Sequence, residues 1–117
     1  MKPNLENEKD WKIFENGNTL GNKGSEGGTI ISDFENVNGA RITVERECRN
    51  IPFAITFGIY GTMFHTHYEG DDVSANEYLG RMIQKINDFF ELYKADEEHR
   101  NSTWHNSFNI LMSELTD

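Results

Sequence analysis

Two histidines separated by a single residue, His65 and His67, are the side chains in this chain best suited to chemistry. Residues two apart in a β-strand point to the same face and lie about 7 Å apart along it. Two imidazoles at that spacing can bind one zinc or iron ion if a carboxylate supplies a third ligand. Glu69 continues the same face, and Asp71 or Asp72 could fold back from the turn that follows. The pattern permits a metal site formed by His65, His67, Glu69 and Asp71.

Two other roles for the histidine pair compete with metal binding. An imidazole titrates near neutral pH, so either ring could act as an acid or a base in catalysis. The commoner role for two such histidines is to cover the polar face of a hairpin, and this is the interpretation we adopt. We therefore expect no catalytic residue and no bound cofactor.

Cys48 is the only cysteine in the chain, so an intramolecular disulfide is impossible. Arg46 and Arg49 flank it in sequence. Because nearby positive charge stabilises a thiolate, they predict a somewhat lowered thiol pKa. We interpret Cys48 as an incidental thiol rather than a nucleophile.

The histidines belong to a predicted β-hairpin within residues 51–69, a segment rich in Phe, Ile and Thr. A two-residue turn at 60–61 would set Phe57 opposite Phe64. The apolar side chains of both strands would then share one face. Both histidines would lie on the opposite face, beside small residues.

A second hairpin is predicted from residues 29–36 and 40–48. A three-residue loop that ends with Gly39 in the left-handed conformation places Phe34 opposite Ile42. A two-residue turn would instead place apolar residues opposite acids. The three-residue loop is therefore the better prediction.

Apolar residues recur at intervals of three and four in two later segments, which is typical of amphipathic helices. The first segment begins with a predicted capping box, Ser74 and Glu77, and its apolar residues continue to Tyr93. Gly80 inside it suggests close approach of a strand. The second segment runs from Ser102 or Thr103 to residue 115.

The amino-terminal part of the chain predicts a short helix over residues 5–14, with Gly17 just after its end. Residues 16–28 contain five of the ten glycines and predict a flexible loop. This loop lacks the sequence of a phosphate-binding loop. The whole chain, 1–117, is predicted to form a single α+β domain. It has a short N-terminal helix, a four-stranded antiparallel meander, and two amphipathic helices packed on one face of the sheet.

The net charge is −9, and most of it lies in the second half of the chain. Residues 51–117 contain four basic and eleven acidic residues, which gives −7. No run of Lys or Arg is present, so we do not expect nucleic-acid binding. No apolar segment is long enough for a membrane helix and no secretory signal is evident, so we expect a cytoplasmic protein without a membrane partner.

These features favour a small acidic binding protein without catalytic activity, which neutralises a basic protein partner. In size and charge the chain is similar to inhibitors of basic toxins, such as bacterial immunity proteins. Asp71, Asp72 and Glu77 are the predicted partner-binding residues. The alternative is a small metal-dependent or acid–base enzyme centred on His65 and His67. A homodimer formed through the exposed sheet face or edge is compatible with either function.

Overall fold

The computed structural model describes residues 9–94 and 97–116. Within these ranges the class is α+β, as predicted, but the antiparallel sheet has five strands rather than four. The strands follow one another in the sheet in chain order. The elements are β1 (Trp11–Ile13), β2 (Thr29–Asn36), β3 (Ala40–Arg46), β4 (Phe53–Ile59), β5 (Met63–Glu69), α1 (Asp72–Tyr93) and α2 (Ser102–Thr116).

The chain divides into two compact units inside α1. The first unit ends at Leu79 and contains the sheet and the first two turns of α1. The second begins at Gly80 and contains the rest of α1 together with α2. A single domain over the whole chain stays a prediction.

The predicted N-terminal helix is wrong where it can be compared, because Trp11–Ile13 forms an edge strand. Trp11 pairs with Asn36 and Ile13 with Phe34, so the two apolar side chains lie on one face of the sheet. The Trp11 side chain is buried there. Burial of Trp11, together with strand pairing to β2, outweighs a helix signal that had only a partial apolar stripe. Residues 5–8 of that predicted helix lie outside the described residues.

The hairpin of β2 and β3 has the predicted register. Phe34 lies opposite Ile42, and the loop closes with a hydrogen bond from Gly39 N–H to Asn36 O of 2.9 Å. Gly39 has a φ of 113°, which an L side chain rarely adopts. The pairing of Phe34 with Ile42 is confirmed, although β3 ends at Arg46, two residues before its predicted end.

The hairpin of β4 and β5 corrects the predicted register by one residue. Its turn has three residues, 60–62, and Phe57 lies opposite His65 instead of Phe64. Because strand side chains alternate, this shift moves every residue of β5 to the other face. Phe64 consequently is 74% exposed and lies outside the core.

The sheet therefore has two chemically different faces. We call the side that carries Phe57 the apolar face; its residues Ala40, Ile42, Val44, Ile55, Phe57 and Ile59 are almost fully buried. We call the other side the polar face; it carries Asp33, Glu35, Arg41, Thr43, Glu45 and Thr56. His65 and His67, opposite Phe57 and Ile55, belong to the apolar face.

Helix α1 begins earlier than the predicted capping box implied. Ser74 N–H donates to Asp71 Oδ1 over 2.8 Å, so Asp71 is the N-cap. Gly80 does not admit a strand, because a Cβ built on it meets no described atom within 4 Å. The predicted apolar stripe is confirmed from Leu79 to Phe89, since Leu79, Met82, Ile83, Ile86 and Phe89 are buried, whereas Phe90 is half-buried and Tyr93 is exposed.

Within the second unit, α2 packs on the later turns of α1 through aromatic rings. The rings of Phe89 and Phe108 lie 5.5 Å apart, and Trp104 Nε1 donates to Leu92 O over 2.7 Å. Lys85 forms an ion pair with Glu114. Neither described helix is long and apolar enough to cross a membrane.

Candidate functional site

The centre of the polar face is a buried carboxylate, Asp33, with only 1% of its surface exposed. Arg41 donates to both carboxylate oxygens, from Nε over 2.9 Å and from Nη2 over 2.7 Å. The hydroxyl groups of Thr19 and Thr43 donate to it over 2.7 and 3.1 Å. A buried charge is tolerated when it is paired and its acceptor sites are filled, and both conditions hold here.

A second buried carboxylate, Glu45, is bound by the glycine-rich loop. The N–H groups of Glu26 and Gly28 donate to Glu45 Oε1 over 3.2 and 3.1 Å. A Cβ on Gly24 would overlap the Glu45 carboxylate. A Cβ on Gly28 would lie 2.5 Å from Arg46 O. Gly28 is required because the loop backbone lies directly against β3 there, and Gly24 leaves the space that the Glu45 carboxylate occupies.

The same loop is tied to the start of β2 by backbone hydrogen bonds. Gly21 N–H donates to Ile30 O, and Ile30 N–H donates to Asn22 O, each over 2.9 Å. The amide groups of a glycine-rich loop often bind an anionic ligand, but here two of them bind an internal carboxylate. Flexibility of residues 16–28 stays a prediction.

Aromatic side chains flank this charged cluster. The Arg41 guanidinium lies 3.7 Å from the centre of the Phe14 ring, a cation–π contact. Its hydrogen bond with Asp33 raises the pKa of Arg41. Tyr60 Oη donates to Glu35 Oε2 over 2.9 Å, and burial, followed by this bond, raises the pKa of the Tyr60 phenol.

A groove of roughly 710 Å³ lies on the polar face, between the loop and the β4–β5 turn. It is lined in part by Lys23, Thr43, Gly58 and Phe64. Gly58 lies opposite Phe64 and has no side chain to cover the aromatic ring. This part of the sheet therefore exposes apolar surface beside polar groups.

The two histidines occupy different surroundings on the apolar face. His67 Nε2 lies 2.6 Å from Glu69 Oε2, and the His67 ring stacks on Tyr78 of α1 with centroids 3.6 Å apart. The His65 ring is tilted against Phe57, at 5.7 Å between centroids. A carboxylate on one ring nitrogen orients an imidazole, so His67 has the geometry of an acid–base group. His65 has an aromatic neighbour instead.

The predicted metal ligands do not converge. Both carboxylate oxygens of Asp71 accept hydrogen bonds from Ser74, from N–H over 2.8 Å and from Oγ over 3.1 Å. Across the described residues, no group of three or more His, Cys, Asp or Glu side chains is arranged to hold a metal ion. Of the four predicted ligands, His67 and Glu69 form a direct contact. The metal hypothesis receives no support from this geometry.

The predicted partner-binding acids lie at the start of α1. Asp71, Asp72 and Glu77 are exposed, and Val73 among them is 68% exposed. From residue 50 to residue 80 the sequence contains four acids and no Lys or Arg. An exposed apolar side chain thus lies within an acidic segment of the sequence.

Cys48 is a buried free thiol, and its predicted pKa shift has the wrong sign. Burial raises the pKa of the Cys48 thiol, and the nearby carboxylates of Glu45 and Glu26 raise it further. Arg46 and Arg49 are exposed, so water screens their charges. The thiol is consequently protonated at neutral pH, which disfavours nucleophilic chemistry.

Sequence reasoning missed the buried cluster around Asp33 and Glu45. A signal was present in the correctly predicted register, which sets Asp33 opposite Thr43 and beside Arg41 on one face. A carboxylate in mid-strand, with a cationic and a hydroxyl neighbour, indicates a face that another segment covers. In the structure the glycine-rich loop covers Glu45 on that face.

The chain was compared with family models, with curated proteins and with solved structures. No family model, curated protein or solved structure matches it. The residues and their geometry are thus the basis for assigning a function.

Proposed function

We propose that this protein is a small, non-catalytic binding protein that docks a basic protein partner. The observation that carries the proposal is the exposed start of α1, where Asp71, Asp72 and Glu77 lie within four residues of the exposed Val73. Residues 50–80 contain four acids and no Lys or Arg, so this segment has a negative net charge, and the first basic residue after it is Arg81.

This arrangement has the features of a protein-binding surface. Interfaces commonly have an apolar centre and a polar rim, and Val73 with its acidic neighbours supplies both on a small scale. The net charge of −9 would accelerate encounter with a basic partner and disfavour acidic competitors. An inhibitor that neutralises a basic protein needs these properties and no reacting group.

In the test, the full chain is immobilised and used to capture a basic protein from an extract of the source cell. The association rate is then measured against salt for the native protein and for the triple variant Asp71→Asn, Asp72→Asn, Glu77→Gln. Asparagine at position 71 keeps the helix cap. We expect the variant to associate about tenfold more slowly at low salt, because long-range attraction governs the encounter rate.

A control variant neutralises two exposed acids elsewhere in the same unit, with Glu15→Gln and Glu47→Gln. These changes should slow association much less than the triple variant. Docking at the start of α1 is contradicted if the association rate does not depend on salt concentration, or if it falls equally in the control variant.

One observation favours the alternative of acid–base catalysis, namely the 2.6 Å contact between His67 and Glu69. The variant His67→Gln tests whether this contact takes part in docking. Under the binding proposal it leaves the association rate unchanged, because His67 lies on the sheet and outside the acidic surface. Slower association of this variant would contradict that placement.

A further inference from the structure

Strand β5 is an edge strand of the sheet. It has seven residues, and no other strand of the described residues pairs with its outer side. Natural edge strands usually carry Lys, Pro or a bulge, or are very short, because an open edge recruits another strand. The sequence of β5, MFHTHYE, contains neither Lys nor Pro. Its register with β4 is regular over all seven residues.

The residues of β5 are nearly symmetric about Thr66. A histidine lies one residue away on each side, and an aromatic residue lies two away on each side. Antiparallel pairing of two identical strands about a two-fold axis sets residue 66 opposite itself. Phe64 then lies opposite Tyr68 of the second copy, and His65 opposite His67 of the second copy.

We propose that this chain forms a two-fold symmetric dimer by antiparallel pairing of β5 with β5 of a second copy, centred on Thr66. Each strand supplies backbone hydrogen-bond partners for the outer side of the other strand. The two sheets become one continuous sheet of ten strands among the described residues. The dimer does not depend on the proposed basic partner.

The exposed aromatic residues of β5 favour this register. Phe64 is 74% and Tyr68 is 43% exposed, and both lie on the polar face. The dimer contains two cross-strand pairs of Phe64 with Tyr68, a type of contact that stabilises antiparallel sheets. A shift by one residue would place unlike faces opposite each other and lose both pairs.

Charge is compatible with the same register. Glu69 is the only residue of β5 charged at neutral pH when the histidines are neutral, and it lies opposite Met63 of the second copy. No like charges therefore meet directly across the two-fold axis. A seven-residue strand pair is a small interface, so we expect dissociation on the order of micromolar.

The first test is sedimentation of the native chain over a concentration series through the micromolar range. The native chain should pass from monomer to dimer. Phe64→Glu should weaken the dimer at least about tenfold, since both aromatic pairs are lost. Val37→Glu is the matched control, because Val37 is 60% exposed in the β2–β3 turn and should leave the dimer unchanged.

The double variant Phe64→Glu, Tyr68→Lys should restore much of the lost association. Opposite charges face each other twice in the proposed register. Lysine at position 68 also remains attracted to Glu26, the present partner of Tyr68 Oη. The proposal is overturned if the native chain stays monomeric, or if the double variant dimerises no more strongly than Phe64→Glu alone.

The second test fixes the register with a disulfide. Residues directly opposite in an antiparallel pair have Cα atoms about 4.5–5.5 Å apart, which suits a disulfide. In a Cys48→Ser background, Thr66→Cys should form a covalent dimer with oxidised glutathione. Phe64→Cys is the control, because its two copies are four residues apart along the strands. Equal cross-linking of both variants, or no cross-linking of Thr66→Cys in a folded protein, overturns the register.

Discussion

The apolar and polar faces of the sheet are both buried at their centres, but different interactions permit the burial. On the apolar face, Ile42, Ile55 and Phe57 are fully buried hydrocarbon. On the polar face, Asp33 and Glu45 are equally buried, and each carboxylate accepts several hydrogen bonds. Water is replaced on one face by packed side chains and on the other by specific donors.

Because different interactions bury the two faces, the faces should respond differently to substitution. Apolar packing is non-directional, so a lost side chain costs its transfer free energy plus the cavity left behind. Buried charge is directional, so a lost partner leaves the remaining groups desolvated and unpaired. The glycine-rich loop depends on the second kind of interaction.

The largest effect is expected on the apolar face, from Phe57→Ala. Removal of this fully buried ring should lower the free energy of unfolding by about 3–5 kcal/mol. Urea denaturation measures the change at a concentration where the chain is monomeric. Phe64→Ala is the matched control and should cost less than about 0.5 kcal/mol, because Phe64 is exposed. Equal costs would reverse the assignment of faces in the second hairpin.

A smaller effect is expected on the polar face, from Asp33→Ala. The substitution leaves Arg41, Thr19 and Thr43 without their acceptor. Arg41 has a side chain that is 35% exposed and can turn towards water. We therefore expect a cost of about 2 kcal/mol, below the range for a fully buried ion pair.

Glu35→Ala is the control for Asp33→Ala, since Glu35 is a partly exposed acid on the same strand and face. It should cost about 0.5 kcal/mol, as is usual for a surface contact. A cost for Asp33→Ala no larger than this would mean that the buried cluster does not stabilise the polar face.

The smallest effect is a pH dependence due to Cys48. Burial, with Glu45 and Glu26, raises the pKa of the Cys48 thiol above its ordinary value of 9.0. The folded state thus holds this proton more tightly than the unfolded state. The resulting stabilisation is fully present below the thiol pKa of the unfolded state. It is lost as pH rises from that pKa to the higher thiol pKa of the folded state.

We expect the free energy of unfolding to fall more steeply above about pH 8.5 in the native protein than in Cys48→Ala. Tyr60, whose pKa is also raised, titrates in both proteins and cancels in the comparison. Parallel pH profiles would contradict a stabilising protonated thiol.

The two hairpins show how far sequence reasoning reached. In the first, a misplaced register would have set apolar residues opposite acids, so the pattern selected Phe34 opposite Ile42. In the second, Phe64 and Tyr68 lie on one face of β5, so the pattern favoured the two-residue turn that brings them to the same face as Phe57. The structure has a three-residue turn instead, which places both rings on the polar face. The candidate histidines were placed on the wrong face for this reason.

Local sequence patterns were sufficient to predict the α+β class, most of the apolar stripe of α1 and the register of the first hairpin. Each of these depends on local periodicity, or on one glycine at a turn that requires positive φ. Three other features follow from long-range contacts: Trp11–Ile13 is a strand, the glycine-rich loop binds Glu45, and His67 stacks on Tyr78. These contacts join residues distant in sequence, and their free energy outweighs local preference.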